Sequence, residues 1–426
     1  MQAATLAPPA LEGRTLRGLD EFMRLEPEWR RLVTETRSLN PFLSWEWVST
    51  WMRHFCAKTL VTVVVTDGGE VVGIAPFHRR RYRLMPGIEA IALQLLAPRE
   101  IGHLFEIREV LTADERRVEV LRALFDELKA SPDWDWLELS AYGPDVPLWE
   151  GIVAGLGPSF AAEVEAETLV PVMTLRDSWE EQRVQLKRNV KESIRHSYNS
   201  LKRDGRSYAL SVASNPVDLE HSIHHLFELH RLRSRVNDRF PHRDHFQQRR
   251  VRQFLTEALE AMAQSNHAVL HTLAIDGEVA AVRVTMEVNG SLYLYFSGFE
   301  PRWWKQGVPT LLLVEMIKAA IGRKLAAVNF SPGLDTSKTR WGVELEPLLS
   351  LAIVRSRPAS RLARKATMLR KTLRKRTWRL LRSLTTEGRR RLELQARQWK
   401  GEKKLVGKSE DAQGLSARIT FPTRRR

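Results

Sequence analysis

The fold is decided by residues 267–342, which begin HAVLHTLAIDGEVAAVRVTMEVNGSLYLYFSGFE and continue PRWWKQGVPTLLLVEMIKAAIGRKLAAVNFSPGLDTSKTRWG. The dipeptides Asp276-Gly277 and Asn289-Gly290 separate three β-rich runs, and Asp-Gly and Asn-Gly are strong hairpin signals. The sequence therefore predicts a three-stranded antiparallel meander. Its second strand is expected over Glu278–Val288 and its third over Ser291–Phe299.

A loop and an apolar helix are predicted directly after the meander. Residues 301–310 lead into a run with apolar side chains at helical spacing, and Pro309 stands near its start, where the missing N–H costs nothing. Such a helix directs its free amides and the positive end of its dipole towards the preceding strand, which suits a diphosphate. Ordinary strand-to-helix connections share this order, so these residues alone leave both interpretations open.

Two segments resemble the GNAT acyltransferase superfamily. KQGVPT, residues 305–310, is similar to the loop that receives the coenzyme A pyrophosphate in that superfamily. NFSPGLDTSKTRW, residues 329–341, is similar to the Asp-Phe-x-x-Gly-x-x-x-Tyr-Lys-x-x-Trp segment of members associated with exopolysaccharide and cellulose biosynthesis, which are two-lobed relatives of Fem-type peptidyltransferases. The matching positions are Phe330, Gly333, Lys338 and Trp341. Asn329 replaces the acid and Ser337 replaces the tyrosine, so no phenol-based proton donor is expected there.

The resemblance implies direct acyl transfer from acyl-CoA, such as acetyl-CoA, to an amine or hydroxyl of a cell-envelope or polysaccharide precursor. It implies coenzyme-binding residues on the second strand and in the loop, namely Val282, Arg283, Val284, Gln306, Gly307, Val308, Pro309 and Thr310. Lys338 and Trp341 are the implied catalytic residues, and Glu287 is the nearest acid on the strand, either a base or an ordinary exposed residue. The expected acceptor-binding residues are His230, Arg235 and Asp335.

The length of 426 residues predicts two domains and an extension. The fold class is α/β (α+β), with two tandem GNAT-like lobes of mixed, largely antiparallel sheets flanked by helices. The first lobe lacks a counterpart of the Gly307 loop, so we do not expect it to bind coenzyme A. The predicted boundaries are a flexible lead over 1–18, lobes over 19–165 and 166–355, a basic amphipathic helical extension over 356–400 and a disordered tail over 401–426.

The basic charge of the chain is confined to its end. Residues 356–426 hold 23 of the 67 Lys and Arg and 5 of the 51 Asp and Glu, a net charge of +18, whereas residues 1–355 carry −2. The extension has a cationic amphipathic pattern that suits an anionic membrane surface, and the same residues could contact RNA phosphates. With no membrane-spanning run and one cysteine, Cys56, we expect a cytoplasmic protein, with peripheral attachment to the inner membrane left open.

Two other functions remain open at this stage. The Fem-type relatives suggest transfer of an amino acid from aminoacyl-tRNA, with the basic tail holding the tRNA. The substitutions at Asn329 and Ser337 also leave room for an inactive GNAT-like scaffold at a membrane. Histidines are dense over residues 221–245, but their spacing does not predict a zinc site, and no metal is expected.

Overall fold

The computed structural model describes residues 11–85, 88–98, 101–143, 145–213, 215–236, 243–370 and 372–373. The strands are β1 (Glu12–Arg17), β2 (Leu60–Asp67), β3 (Glu70–Met85), β4 (Ile88–Leu95), β5 (Leu111–Thr112), β6 (Trp136–Tyr142), β7 (Phe160–Thr174), β8 (Tyr208–Val212), β9 (Ala268–Ile275), β10 (Glu278–Val288), β11 (Ser291–Phe299), β12 (Ala327–Asn329) and β13 (Glu344–Arg355). The α-helices are α1 (Leu19–Met23), α2 (Glu26–Glu35), α3 (Trp45–Trp51), α4 (Arg117–Ala130), α5 (Asp145–Ala154), α6 (Trp179–Gln185), α7 (Arg188–Arg203), α8 (Pro216–Ser234), α9 (Arg249–Gln264), α10 (Val308–Gly322) and α11 (Thr336–Thr339).

The strands of the described residues form one mixed sheet, in the order β1-β2-β3-β4-β6-β13-β7-β12-β11-β10-β9-β8, with β5 beside β3. The two halves of this sheet repeat one pattern. Each half begins with an antiparallel meander, which is β2-β3-β4 in the first half and β9-β10-β11 in the second. A helix then leads to a strand that pairs in parallel with the last strand of the meander. This strand is β6, beside β4, in the first half and β12, beside β11, in the second. The predicted architecture of two tandem lobes is confirmed.

The two lobes exchange their last strands. β7 ends the first lobe but pairs with β12 of the second, while β13 ends the second lobe but pairs with β6 of the first. The two long strands also pair with each other in the middle of the sheet. Residues 1–361 therefore form one compact unit, with residues 362–426 as another, and the boundary predicted at residue 165 falls inside β7.

Turn chemistry fixes the second meander as the sequence predicts. Asp276 and Gly277 have φ of 50° and 84°, and Asn289 and Gly290 have φ of 45° and 73°. Two consecutive residues with positive φ are the requirement of a tight hairpin turn, and Asp, Asn and Gly tolerate that conformation best. The register of β10 against both neighbours follows from these two turns.

The prediction of a flexible lead is corrected, because residues 12–17 form β1 and gain a non-local partner in the edge of β2. The segment before β5 is a loop that ends in this two-residue strand. Helices α6 and α7 are separate because Leu186 turns into extended backbone (φ −69°, ψ 141°) and is buried.

The sheet of the second lobe is covered on both faces. Helices α7 and α10 cover one face, where Leu292 and Leu294 of β11 join the apolar core of α10. Helices α8 and α9 and the aromatic helix α3 share the core of the other face with Tyr293 and Tyr295. Because successive side chains of a strand point to opposite faces, β11 contributes to both cores.

Residues 358–370 are helical, as predicted for the start of the basic extension. The part of that prediction beyond residue 373, and the tail predicted over 401–426, lie outside the described residues. Within the described part of the chain, no helix combines the length and apolar character needed to cross a membrane.

Candidate active site

An opening between β11 and β12 defines the candidate site. These parallel strands pair only through residues 291–293 and 327–329. Beyond that point the chain follows β7 instead, with the Phe330 N–H donating to the Pro171 carbonyl at 2.9 Å. β11 continues to Phe299 and carries a bulge opposite β10, where the register shifts between Arg283 and Thr285. The far half of β11 therefore presents an edge with no strand partner among the described residues.

Helix α10 begins beside this opening. Gly307 caps it with φ 71°, and a Cβ at this position would lie 3.2 Å from the Ser197 Cβ, so both the backbone conformation and the space favour glycine. The Gly307 N–H donates to the Trp304 carbonyl and the Thr310 N–H to the Gly307 carbonyl. Since Pro309 has no N–H, Val308 has the one amide of this run without an acceptor in the described structure. The predicted cradle of several amides is therefore reduced to one amide and the helix dipole.

The start of α10 lines a cleft of about 800 Å³ between α7, β10 and the 336–341 segment. Two arginines, Arg283 and Arg340, line it together with Trp341 and Thr310. The carboxylate among its lining residues, Glu192, forms an ion pair with Arg188 at 2.8 Å. The cleft thus joins a helix N-terminus to two guanidinium groups.

Arg340 carries an uncompensated charge in this cleft. Its Nη1 donates to the Ser193 Oγ at 3.1 Å and its Nη2 to the Thr310 Oγ1 at 3.2 Å. Its Nε is buried without an acceptor, and no described carboxylate lies within ion-pair distance. Burial lowers the pKa of the guanidinium. A planar cation with a free donor beside a helix start is an arrangement that suits an anionic ligand.

Arg283 is the second uncompensated cation. Its Nη2 donates to the Ser297 Oγ at 3.1 Å, and burial lowers its pKa to about 10. No described carboxylate forms an ion pair with it. Arg283 is one of the predicted coenzyme-binding residues, and it lines the cleft.

The coenzyme-binding residues predicted on the second strand of the meander have their backbone inside the sheet. Residues 282–284 of β10 pair with β9 on one side, and β10 also pairs with β11 on the other. The side chains of Val282 and Val284 are buried. Their peptide groups are therefore committed to the sheet. The free edge that could bind an extended ligand belongs to β11, one strand further along.

Lys338 holds the segment in which it lies. Its Nζ donates to the Ser331 carbonyl at 3.2 Å, the Ser331 Oγ at 3.0 Å and the Pro332 carbonyl at 3.0 Å, which accounts for all three donors of an ammonium group. Burial lowers its pKa, while Glu106 and Asp335 raise it. The structure gives Lys338 an anchoring role for residues 331–332 of this loop.

Two neighbours of Lys338 have similar roles. Asp335 caps α11 by accepting from the backbone N–H groups of Ser337 and Lys338. Trp341 is buried, and its Nε1 donates to the Ser337 carbonyl at 2.9 Å. Trp341 also lines the cleft, where its ring lies 5.6 Å from the Arg340 guanidinium. Asn329, at the position of the family's acid, donates to the Tyr142 hydroxyl at 3.0 Å.

The first lobe contributes Glu106, which the sequence analysis missed. This residue lies on the loop before β5, where its carboxylate accepts from the Tyr293 hydroxyl of β11 at 2.5 Å. The Tyr295 hydroxyl fixes the same loop by donating to the Leu104 carbonyl at 2.7 Å. Burial raises the pKa of Glu106 to about 7, against the opposing effects of Tyr293 and Lys338. A carboxyl group with such a pKa exchanges protons near neutral pH.

The remaining predicted residues lie away from the opening or are committed elsewhere. His230 is buried between the carbonyl oxygens of Ser297 and Arg243, at 3.1 and 3.2 Å. Arg235 is exposed at the C-terminal end of α8. The Gln306 side chain donates to Asp204 at 3.0 Å.

Glu287 accepts from Arg323 at 2.6 Å. That pair lies at the far end of the 15-residue α10, roughly 20 Å from its start. The structure therefore places Glu287 too far away to act as the base for a ligand in the cleft.

The first lobe has a counterpart of the cleft with a different charge balance. A cavity of about 680 Å³ opens where α4 begins, lined by Arg116, Arg117 and several carboxylates. Arg117 forms an ion pair with Asp145, and Arg116 pairs with Asp67 and Glu119. These two arginines are neutralised by carboxylates of the protein, whereas Arg340 forms no ion pair with a described residue.

Comparison with known proteins supports the same fold. Residues 172–339 match the family model of the acetyltransferase (GNAT) domain. No curated protein matches the chain. The FemX crystal structure superimposes with a TM-score of 0.54 at 12% identity, over 79% of this chain and 96% of FemX. A conserved protein of unknown function from Bacteroides thetaiotaomicron gives 0.51 at 12% identity, over 78% and 97%.

The C-terminal DUF2156 domain of a putative lysylphosphatidylglycerol synthetase from Agrobacterium fabrum gives a TM-score of 0.48 at 12% identity, over 80% of this chain and 96% of that one. At these identities the structural matches show the fold alone. The second lobe has a GNAT-type acyltransferase fold, and the architecture of the whole described chain is similar to that of FemX.

Proposed function

We propose that the protein is an acyltransferase that takes its acyl group from coenzyme A and transfers it directly to an amine or hydroxyl of a cell-envelope or polysaccharide precursor. The observation that carries this proposal is the pair of uncompensated guanidinium groups, Arg340 and Arg283, in the cleft where α10 begins. Partly buried cations without acidic partners destabilise the folded state unless a ligand supplies the negative charge. A diphosphate supplies that charge and matches the planar donors of arginine.

The donor would extend from the cleft into the opening between β11 and β12. Its diphosphate would accept from Arg340 and from the free Val308 amide at the helix start. The extended pantetheine arm would run along the unpaired edge of β11, where peptide groups can bond it as a neighbouring strand would. The thioester would then lie near the bulge of β11, and the first lobe would present Glu106 from the Tyr293 side.

Glu106 would act as the general base. Its pKa of about 7 allows it to take the one proton that a neutral amine or a hydroxyl group loses as it attacks. The acceptor atom attacks the thioester carbonyl carbon, so one bond to that carbon forms and the carbon–sulfur bond breaks. The acceptor's proton passes to Glu106, and the coenzyme A thiolate leaves and is protonated by solvent. Tyr293 holds the carboxylate in place through its 2.5 Å hydrogen bond.

Calorimetric titration of the full chain with coenzyme A, and separately with pantetheine, tests the donor assignment. We expect saturable binding of coenzyme A at one site and much weaker binding of pantetheine, because pantetheine lacks the phosphates that Arg340 would bind. Titration with total tRNA runs in parallel. Salt-sensitive tRNA binding without coenzyme A binding would replace this proposal with aminoacyl transfer.

The basic extension is proposed to hold the enzyme at an anionic membrane surface. Leu362, Leu369 and Leu373 are exposed and recur at spacings of seven and four residues, which places them on one face of a helix. Lysines and arginines flank this face, and each contributes on the order of 1 kcal/mol near an anionic leaflet. We expect more of the full chain to cosediment with vesicles of phosphatidylglycerol than with vesicles of phosphatidylcholine. Equal sedimentation of Leu362→Glu/Leu369→Glu with the anionic vesicles would contradict this role for the helix.

A further inference from the structure

Helix α8 brings three potential metal ligands together on its outer side. One ligand atom from each of His224, His225 and Glu228 lies within 4.8 Å of the other two. His224 and Glu228 are one helical turn apart, a spacing that places side chains on the same face. Because α8 runs over 19 residues, the backbone that carries these ligands is a regular helix.

These side chains have no competing partner. Among the residues that the structure describes, none of the three forms a hydrogen bond or an ion pair, and the rings of His224 and His225 are 6.0 Å apart. Imidazole nitrogen with a carboxylate oxygen is a ligand set for ions such as Zn²⁺ and Ni²⁺.

A cavity beside the cluster leaves room for metal-bound water. It has a volume of about 880 Å³ and is lined in part by His224 and Glu228. Its other charged lining residues are balanced in sign: Asp244 and Glu257 are acidic, and Arg231, Arg249 and Arg252 are basic.

We propose that His224, His225 and Glu228 form a binding site for one divalent transition-metal ion of the Zn²⁺ or Ni²⁺ class, with water completing its coordination. Binding draws the ligand atoms to about 3 to 3.5 Å from one another, as metal–ligand distances near 2.1 Å require. Rotation of the side chains, of which His224 is exposed, supplies that movement. The proposal departs from the prediction of no metal, which was based on histidine spacing alone.

The site is independent of acyl transfer. It lies on α8, whereas the cleft is formed by α7, α10 and the 336–341 segment. Coenzyme A binding is therefore expected to be the same in metal-free and metal-loaded protein. Failure of the metal proposal would leave the proposed function untouched, and failure of the proposed function would leave the metal site untouched.

Calorimetric titration of the EDTA-treated, dialysed full chain with Zn²⁺, and separately with Ni²⁺, tests the proposal. We expect one saturable site, and at least tenfold weaker binding in His225→Ala and in Glu228→Gln. His221→Ala is the matched control, because it removes a histidine of the same helix that lies outside the triad, and it should bind as the wild type does. Circular dichroism of each metal-free variant verifies that α8 still folds.

A Co²⁺-loaded sample gives a second readout, since its visible spectrum reports the ligands and their number. We expect the spectrum of His225→Ala to differ from that of the wild type. Absence of saturable binding in the wild type would overturn the site. Wild-type affinity in both His225→Ala and Glu228→Gln would do the same, and loss of binding in His221→Ala would overturn the assigned ligand set.

Discussion

Replacing Arg340 separates donor binding from folding, and it is the sharpest test of the cleft. Arg340→Met keeps much of the length and the apolar stem of the side chain but removes the charge and the donors. Arg340→Lys keeps the charge but not the planar fork, which Lys cannot reproduce for a diphosphate. The two variants therefore distinguish a need for charge from a need for bidentate geometry.

The expected loss of affinity follows from the contacts available to the ligand. A hydrogen bond to a charged group is worth about 1.5 to 3 kcal/mol, which corresponds to a roughly 10- to 150-fold change in Kd. The buried Arg340 Nε has no acceptor in the free protein, so a diphosphate oxygen would gain this donor without breaking a protein contact. We expect Arg340→Met to fall in this range and Arg340→Lys to lose about tenfold.

The Arg340→Met substitution should have a small effect on stability. This result shows whether donor binding can be lost without loss of folding. Burial lowers the pKa of Arg340 with no carboxylate to oppose it, so the charge itself disfavours the folded state. Its removal offsets the loss of the bonds to Ser193 and Thr310. We expect the free energy of unfolding of Arg340→Met to stay within about 1 kcal/mol of the wild type.

A reciprocal variant supplies the missing anion from the protein. Ser193 lies 3.1 Å from Arg340, so Ser193→Asp would place a carboxylate where the donor phosphate is expected. This change should raise the melting temperature of the free protein and abolish coenzyme A binding.

Calorimetry with coenzyme A and thermal unfolding measure the two quantities on the same samples. The matched control is Arg323→Met, at the other end of α10, where the arginine is already paired with Glu287. It should bind coenzyme A as the wild type does. Wild-type affinity in Arg340→Met, or an equal loss in Arg323→Met, would refute the assignment of the anion site.

The other predictions concern the base, the loop and the helix start. Glu106→Gln should lower turnover by about 10²- to 10⁴-fold while calorimetry finds coenzyme A affinity unchanged; normal turnover would exclude Glu106 as the base. Its pKa of about 7 lies above the ordinary 4.5, so the stability that it contributes is fully present below about pH 4.5 and is lost as pH rises through about 7. Thermal unfolding of Glu106→Gln should lack that loss. Lys338→Met leaves three acceptors unpaired and should cost about 1 to 3 kcal/mol in urea unfolding, and an undiminished midpoint would contradict its anchoring role. Gly307→Ala, at φ 71°, should cost about 1 to 2 kcal/mol and weaken coenzyme A binding, whereas a wild-type melting curve would show that the helix start tolerates a side chain.

Local chemistry explains what the sequence predicts correctly. The meander follows from Asp276-Gly277 and Asn289-Gly290, whose positive φ angles are a preference of those residues themselves. The beginning of α10 follows in the same way from Gly307 and Pro309. In each case the deciding interactions lie within a few residues of one another in the chain, so the sequence pattern predicts the local structure without knowledge of the rest of the fold.

The parts that escape prediction depend on distant contacts. Glu106 meets Tyr293 across 187 positions of the chain, and nothing in its own neighbourhood marks it as different from other loop acids. Arg340 looks like one cation among many until the fold shows that no carboxylate reaches it.

The two lobes differ in a way that supports placing the proposed donor site in the cleft rather than in its first-lobe counterpart. Both place arginines where a helix begins. In the first lobe Arg117 is paired with Asp145, so its charge is balanced within the protein. In the second lobe Arg340 and Arg283 form no ion pair with a described carboxylate, which lowers the stability of the free protein and leaves binding energy for a ligand. An anion that binds in the cleft would gain interactions that the first lobe satisfies internally, so we expect the second lobe alone of the two to bind the donor.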